Sequence, residues 1–294
     1  MDSRTVERLR SVFFQTQADI EANMYVDACN QVTFSQSPEM HQSAIVATPA
    51  EIARTADGQV PDSNSTVTGE TAVVVKNVDS LEGAELAKSI TDRYTKEHRP
   101  PLVLNFANPY EPGGGKMHGS IVQEEDLCRR TTVYASLTSD EAQAFYRTNK
   151  ESGTYLFSHA MMISPYVEVF RNSDYEYLGT PREIAVLTCA APFVPELDSI
   201  TETELFATIK ARIAGMLLFA TSNGYRALVL GAWGCGAFGN SPHLVARAFR
   251  EALMEVQNTS SAPLIAVFAV LDRTHDKHTF RTFEDTLGKC NTRS

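Results

Sequence analysis

The sequence has no apolar run approaching the length of a membrane span, so no transmembrane helix is expected. Its opening stretch, MDSRTVERLRSVFFQTQ, turns polar again after Phe14 and offers no secretory core. Cysteine is sparse: Cys29, Cys128, Cys189, Cys235 and Cys290 are five in 294 residues, widely spaced and without a CxxC. That disfavours a disulfide scaffold or a thiolate zinc site and points to a reducing, cytoplasmic setting. Basic charge is also short, with 26 Lys and Arg against 36 Asp and Glu and a formal net charge of −10. Such a chain has no bulk attraction for DNA or anionic lipid, so a phosphate-bearing ligand has to be held by local geometry. The seven histidines are scattered, and His275 with His278, the one close pair, lacks a convincing third ligand. No metal and no cofactor are expected.

Common nucleotide and nucleophile motifs are missing too. GGGKMHG lacks the GxxxxGK[ST] spacing, no GxGxxG lies between an early strand and a helix, and GAWGCG lacks the serine of a GxSxG elbow. Cys235 has no neighbouring histidine to activate it and reads as structural.

Alternating elements fill the space these absences leave. Residues 1–26 read as a docked helix, and the region from Asp27 to Glu70 is polar, with a loop from Asp57 onward. Thr71–Val75 is a β-branched strand, and Asp79 with Glu82 opens a helix carrying Ala84, Ala87 and Ile90. Leu102–Phe106 is a buried strand, Glu124–Leu137 a helix, and Tyr155–Met162 and Val167–Arg171 either adjacent strands or a loop over the sheet. Ile184–Thr188, Ala227–Gly231 and Leu264–Val270 are further strands. Between them, Thr201 and Glu204 form a capping box and Ser241-Pro242 opens another helix. Strands apolar on both faces and alternating with helices imply a mixed, largely parallel sheet covered on both sides.

Two glycine-rich loops follow strand ends, where α/β sheets collect ligands. One holds Gly113, Gly114 and Gly115; the other holds Gly234, Cys235, Gly236, Ala237, Phe238 and Gly239. Glycines let backbone N–H groups converge on an oxyanion, though either loop alone is equally a tight turn. Gln123, Glu124, Glu125 and Asp126 follow the first loop. Acidic residues in a first helical turn offset the helix dipole, but a carboxylate beside a diphosphate site is also suited to hold a proton. Glu124 and Glu125 point about 100° apart and cannot share one role. Asn105 and Asn108 can supply amides to ribose hydroxyls, and Phe238 can stack on a sugar or plug the loop. His118 lies between the loop and the acidic run, within reach of a substrate.

The segment NFANPYEPGGGKMHGSIVQEEDLCRR resembles the signature of the bacterial-type poly(ADP-ribose) glycohydrolases, a triple glycine and a short spacer, here Lys116 to Val122, before Gln-Glu-Glu. VLGAWGCGAFGNSP is similar to the family's second phosphate-binding loop. The resemblance implies a macrodomain-like three-layer α/β/α fold, with residues 1–70 as an N-terminal helical accessory segment, 71–275 as the catalytic core and 276–294 as a tail. It implies hydrolysis of the ribose–ribose O-glycosidic bond at the terminal unit of poly(ADP-ribose) on modified proteins. Glu125 would be the acid, and Glu124 would hold the ribose. The two glycine loops would cradle the diphosphate, with Phe238 and Asn108 at the distal ribose and Asn105 and Gln123 also at the ligand. Lys116 departs from the aromatic or aliphatic residue usual after the triple glycine, and reads as reaching solvent or a phosphate. A hydrolase of mono-ADP-ribosylated side chains and a non-catalytic ADP-ribose reader are the alternatives; the protein is expected to be a monomer.

Overall fold

The computed structural model describes residues 2–28, 30–52, 71–94, 99–116, 119–259 and 264–288. The loop expected from Asp57 to Glu70, His118, Cys29 and Cys290 lie outside these residues. After an N-terminal helix, Ser3–Glu21, come the strands β1 (Met24–Asp27) and β2 (Asn30–Thr33), which pair as a small separate hairpin. The remaining strands are β3 (Ile45–Ala47), β4 (Thr71–Lys76), β5 (Leu102–Phe106), β6 (Met161–Arg171), β7 (Tyr177–Cys189), β8 (Ala227–Leu230) and β9 (Leu264–Ala269). They form one sheet in the order β3-β6-β7-β5-β8-β9-β4. Neighbours from β7 to β4 run parallel, and β6 runs antiparallel to both β7 and β3. This is the expected mixed, largely parallel sheet between helices.

Burial on both faces explains the apolar strands. In β5, Leu102 and Leu104 face one side, against Ile209, Ile213 and Leu217 of the helix Glu202–Ser222 and Phe249 of the helix Pro242–Thr259. Val103 faces the other side, with Leu81 and Ala87 of the helix Ser80–Tyr94 and Leu127 and Phe145. Both expected capping boxes are formed. Thr201 Oγ1 accepts the Glu204 N–H while Glu204 takes the Thr201 N–H, and Asp79 and Glu82 exchange the same pair of bonds. Glu202–Ser222 is the one helix among the described residues long and apolar enough to cross a membrane. Its apolar stripe is spent inside the core, and it carries the fully buried Arg212.

Three elements depart from the expected pattern. The helix expected over Glu124–Leu137 is two helices, Gln123–Arg130 and Val133–Leu137. The break comes where Thr131 turns extended to bridge Val169, and the Thr132 N–H donates to Glu168 O. The two short candidate strands before Arg171 are one strand, β6, whose register shift between Ser164 and Val167 absorbs Pro165. β7 begins seven residues before Ile184, in a half-exposed stretch with Gly179 and Pro181 that reads poorly as strand.

β3, from the segment taken as accessory, is an edge strand of the main sheet, because Ile45–Ala47 pairs with Met161–Ile163. From the expected tail, the helix His278–Leu287 buries Phe283 and Leu287 in the core. At the other face, the N-terminal helix packs on Gln123–Arg130, with Thr16 Oγ1 donating to Arg129 O.

Candidate active site

β5 and β8 are parallel neighbours, so both glycine loops open at the same edge of the sheet, beyond the strands' carboxyl ends. The helix Gln123–Arg130 is stapled to the end of β5 by Gln123: its Oε1 accepts the Phe106 N–H at 2.9 Å, and its Nε2 donates to Leu104 O and Ser80 Oγ. Both Gln123 N–H donors are therefore used by the scaffold, and what they achieve is the placement of the two glutamates that follow.

Glu124 is 2% exposed. Its Oε1 accepts from Asn105 Nδ2 at 3.1 Å and its Oε2 from the Asn108 N–H at 2.8 Å. Burial pushes its pKa up to about 8, against the pull of those two donors, with the nearby Glu125 adding to the rise. Glu125 is also raised by burial, opposed by N–H groups of its own backbone and Gly115, by the charge of Arg129 and by Ser120. Oε1 of Glu125 accepts the Gly115 N–H at 2.6 Å, while Oε2 is buried and has no partner among the described residues.

The first loop is built around these carboxyls. Gly114 has φ of +46°, and a Cβ there would lie 2.8 Å from Glu125 Oε1 and 3.2 Å from Glu124 Oε2. The N–H groups of Gly113 and Gly115 serve Glu124 and Glu125, and that of Gly114 goes to Glu111 O. The expected diphosphate cradle therefore divides. The first loop spends its N–H groups inside the protein, whereas no described residue accepts from those of Gly236, Ala237 or Phe238 in the second. That second loop is pinned by Asn240, whose Nδ2 donates to Pro192 O and Gly234 O. Gly234, at φ +74°, presses against Ala191 and Asn240 so closely that a Cβ would overlap both.

A cleft opens beside the second loop, walled by Phe106, Ala107, Val122 and Gln123 on one side and by Ala191, Trp233, Gly234, Gly236, Ala237 and Phe238 on the other. Trp233 is fully buried, its indole N–H on Cys189 O at 2.9 Å. Phe238 packs edge-on to Phe193 and tilted to Phe157, which holds φ of +57°. Cys235 bonds to Trp233 O, and burial raises its thiol to about 12, in keeping with a structural role. A larger cavity lies at the opposite end of the sheet, by Pro100 and Pro101; its charged walls include the Arg182–Glu85 and Lys88–Asp92 pairs.

Asn105 and Asn108 also bond within the protein. Asn105 is buried beneath Glu124, its amide on Glu124 and Thr188, and the Asn108 carbonyl caps the Tyr110 and Glu111 N–H groups. Lys116 reaches neither solvent nor the cleft: it is 8% exposed, bonds to Pro112 O and lies 5.0 Å over the Tyr134 ring. Sequence reasoning passed over Ser120, Asn240 and Phe157, which act through backbone carbonyls and rings with no motif to mark them. Among the described residues, no three His, Cys, Asp or Glu side chains converge as a metal site.

The sequence matches the family profile described as microbial-type PARG, catalytic domain, over residues 13–172. No curated protein matches it. Among solved structures, it is similar to poly(ADP-ribose) glycohydrolase from Thermomonospora curvata at 27% identity and a TM-score of 0.84, over 96% of this chain and 100% of that one. The same enzyme bound to the inhibitor ADP-HPD gives 28% and 0.81, over 95% and 99%. The Deinococcus radiodurans enzyme in complex with ADP-ribose gives 30% and 0.75, over 88% and 99%.

Proposed function

The chain belongs to the microbial-type poly(ADP-ribose) glycohydrolase family and is a glycoside hydrolase of ADP-ribose polymers; from that premise we propose that Glu125 carries the proton that the leaving oxygen needs. The observation that carries this is the asymmetry of its carboxyl. Oε1 takes the Gly115 N–H and so stays an acceptor, leaving the buried, unpartnered Oε2 to hold the proton. Burial raises the pKa of Glu125, which favours the protonated form that a general acid needs.

The steps then balance. Oε2 gives its proton to the 2′-oxygen of the leaving ribose as the bond from C1″ breaks, leaving an oxocarbenium-like centre. Water adds to C1″ and returns a proton to the Glu125 carboxylate, so one carboxyl serves as acid and then base. Glu124, buried and held by Asn105 and Asn108, positions the ribose beside it. The free N–H groups at Gly236–Phe238 bind the diphosphate, and Phe238 fixes the distal ribose. Backbone donors of this kind need no basic surface, which reconciles an anionic ligand with a protein of net charge −10. An acidic exterior suits capture of a terminal unit better than clamping along the polymer. The scattered cysteines support a cytoplasmic setting, and the acidic charge balance supports a protein that does not bind DNA.

Incubation with defined poly(ADP-ribose) chains, following released ADP-ribose, tests the assignment. Glu125→Gln is expected to lose turnover about a thousandfold while still binding ADP-ribose; turnover at the wild-type rate would refute it. Running arginine-, serine- and glutamate-linked mono-ADP-ribose in parallel distinguishes a mono-ADP-ribosyl hydrolase, and binding without release would identify a reader.

A further inference from the structure

Arg129 is fully buried on the helix of the two glutamates and has no carboxylate ion-pair partner among the described residues. Its Nη2 donates to Ser120 O at 2.6 Å, while its Nε and Nη1 have no partner among the described residues. An unneutralised buried guanidinium is costly and is retained where its position matters. The surroundings are built to keep it there. Tyr175, at the β6–β7 turn with φ of +67°, places its ring 5.6 Å from the guanidinium and donates its hydroxyl to Asp126 Oδ1 at 2.9 Å. From the other side, Gly119, at φ +69°, lies so close to Val6 of the N-terminal helix that a Cβ would meet the Val6 backbone at 2.9 Å.

The result is that the strap entering the catalytic helix is gripped on two sides, with Ser120 facing the site. A Cβ at Gly115 would lie 3.1 Å from Ser120 Cβ and 3.2 Å from Glu125 Oε1, so serine and carboxyl meet across the same glycine. We propose that Ser120, held in place by Arg129, is a positioning residue for Glu125, fixing the carboxyl for proton transfer. This rests on the reading of Glu125 as the acid. It also gives the N-terminal helix a part in catalysis, as one jaw of the grip on the strap.

The relay bears on protonation as well as position. Ser120 and the charge of Arg129 each favour the ionised form of Glu125, while burial favours the neutral form. Other titratable groups around it are Glu124 and Cys128 on the same helix, Lys116 from the glycine loop, and Tyr134 and Tyr146 from the helices behind. A general acid is lost as pH rises through its pKa. Removing Ser120 raises that pKa, so the alkaline limb of the rate moves to higher pH.

The experiment measures ADP-ribose release from poly(ADP-ribose) across pH for wild type, Ser120→Ala, Ser120→Thr and Arg129→Lys, with ADP-ribose binding measured in parallel. Ser120→Ala is expected to bind ADP-ribose within about twofold of wild type, to lose about tenfold in kcat, and to shift its alkaline limb upward. Ser120→Thr, which keeps a hydroxyl, restores both kcat and limb. Arg129→Lys keeps the charge but loses the planar fork, and lowers kcat with a smaller shift of the limb. Should Arg129→Lys fail to fold, the serine pair decides alone. An active wild type whose Ser120→Ala variant keeps its kcat, or loses kcat with the limb unmoved, overturns the inference and leaves the glycohydrolase reading intact. A wild type that binds ADP-ribose but releases none overturns both.

Discussion

Gly114→Ala places a methyl group against the carboxyls of both Glu124 and Glu125. The backbone there holds φ of +46°, which costs an L-residue about 1–2 kcal/mol before any contact is counted. The added Cβ would sit 2.8 Å from Glu125 Oε1, 0.6 Å short of the 3.4 Å at which ordinary contact begins, and 3.2 Å from Glu124 Oε2. Neither carboxyl can yield freely: Glu125 is tied to Gly115 and Glu124 to Asn105 and Asn108. Strain and displacement together predict a stability loss of about 1–3 kcal/mol. Misplacing a catalytic group by about 1 Å costs on the order of a hundredfold in rate, so a shift of half that size predicts a fall in kcat of roughly tenfold or more. Urea unfolding gives the first quantity and ADP-ribose release at saturating polymer the second. A variant with wild-type kcat and an unchanged urea midpoint would refute the idea that the first loop is shaped around the carboxyls.

Gly236→Ala is the contrasting case, since a Cβ there meets no protein atom within 4 Å and φ is not positive. Its urea midpoint should match wild type while ADP-ribose binding weakens, because the methyl intrudes on the proposed diphosphate site; unaltered affinity would place the ligand elsewhere. Glu124→Gln should flatten the pH dependence of stability. The folded pKa, raised by burial from 4.5 to about 8, means stability is full below 4.5 and falls as pH rises toward 8. Urea titrations across that window should show wild type losing stability more steeply than the variant, which keeps only the contribution of Glu125. At a second site, burial raises the pKa of Glu168, but His41, Ser35 and Gln36 donate to its carboxylate and leave it lowered overall. Its contribution is therefore present above pH 4.5 and lost as pH falls through the lowered value. Glu168→Ala leaves those donors buried and unpaired, and should cost about 3 kcal/mol with kcat unchanged; a loss under about 1 kcal/mol would count against the pair as a fastener of the N-terminal segment.

Patterns that local chemistry enforces are legible in the chain itself. The apolar strands, the capping boxes at Asp79 and Thr201, and the two glycine loops follow from residues a few positions apart. The pairing of a triple glycine with Gln-Glu-Glu marks the family for the same reason. Elements that only distant partners stabilise escape such a reading. β3 exists because Met161–Ile163 offers it an edge, Thr131 leaves its helix to bridge Val169, and the first half of β7 is a strand despite Gly179 and Pro181.

The site divides along the same line. Sequence alone determined that a run of carboxyls follows one glycine-rich turn and that a second such turn ends another strand, in a chain with few basic residues. Tertiary structure decided which turn keeps N–H groups without a protein acceptor among the described residues. It folded the first loop onto Glu124 and Glu125, left the N–H groups of the second free, and turned Lys116 inward against Tyr134. Burial and the direction of an N–H group depend on what packs from far along the chain, and those quantities separate the unpartnered oxygen of Glu125 from its bound one.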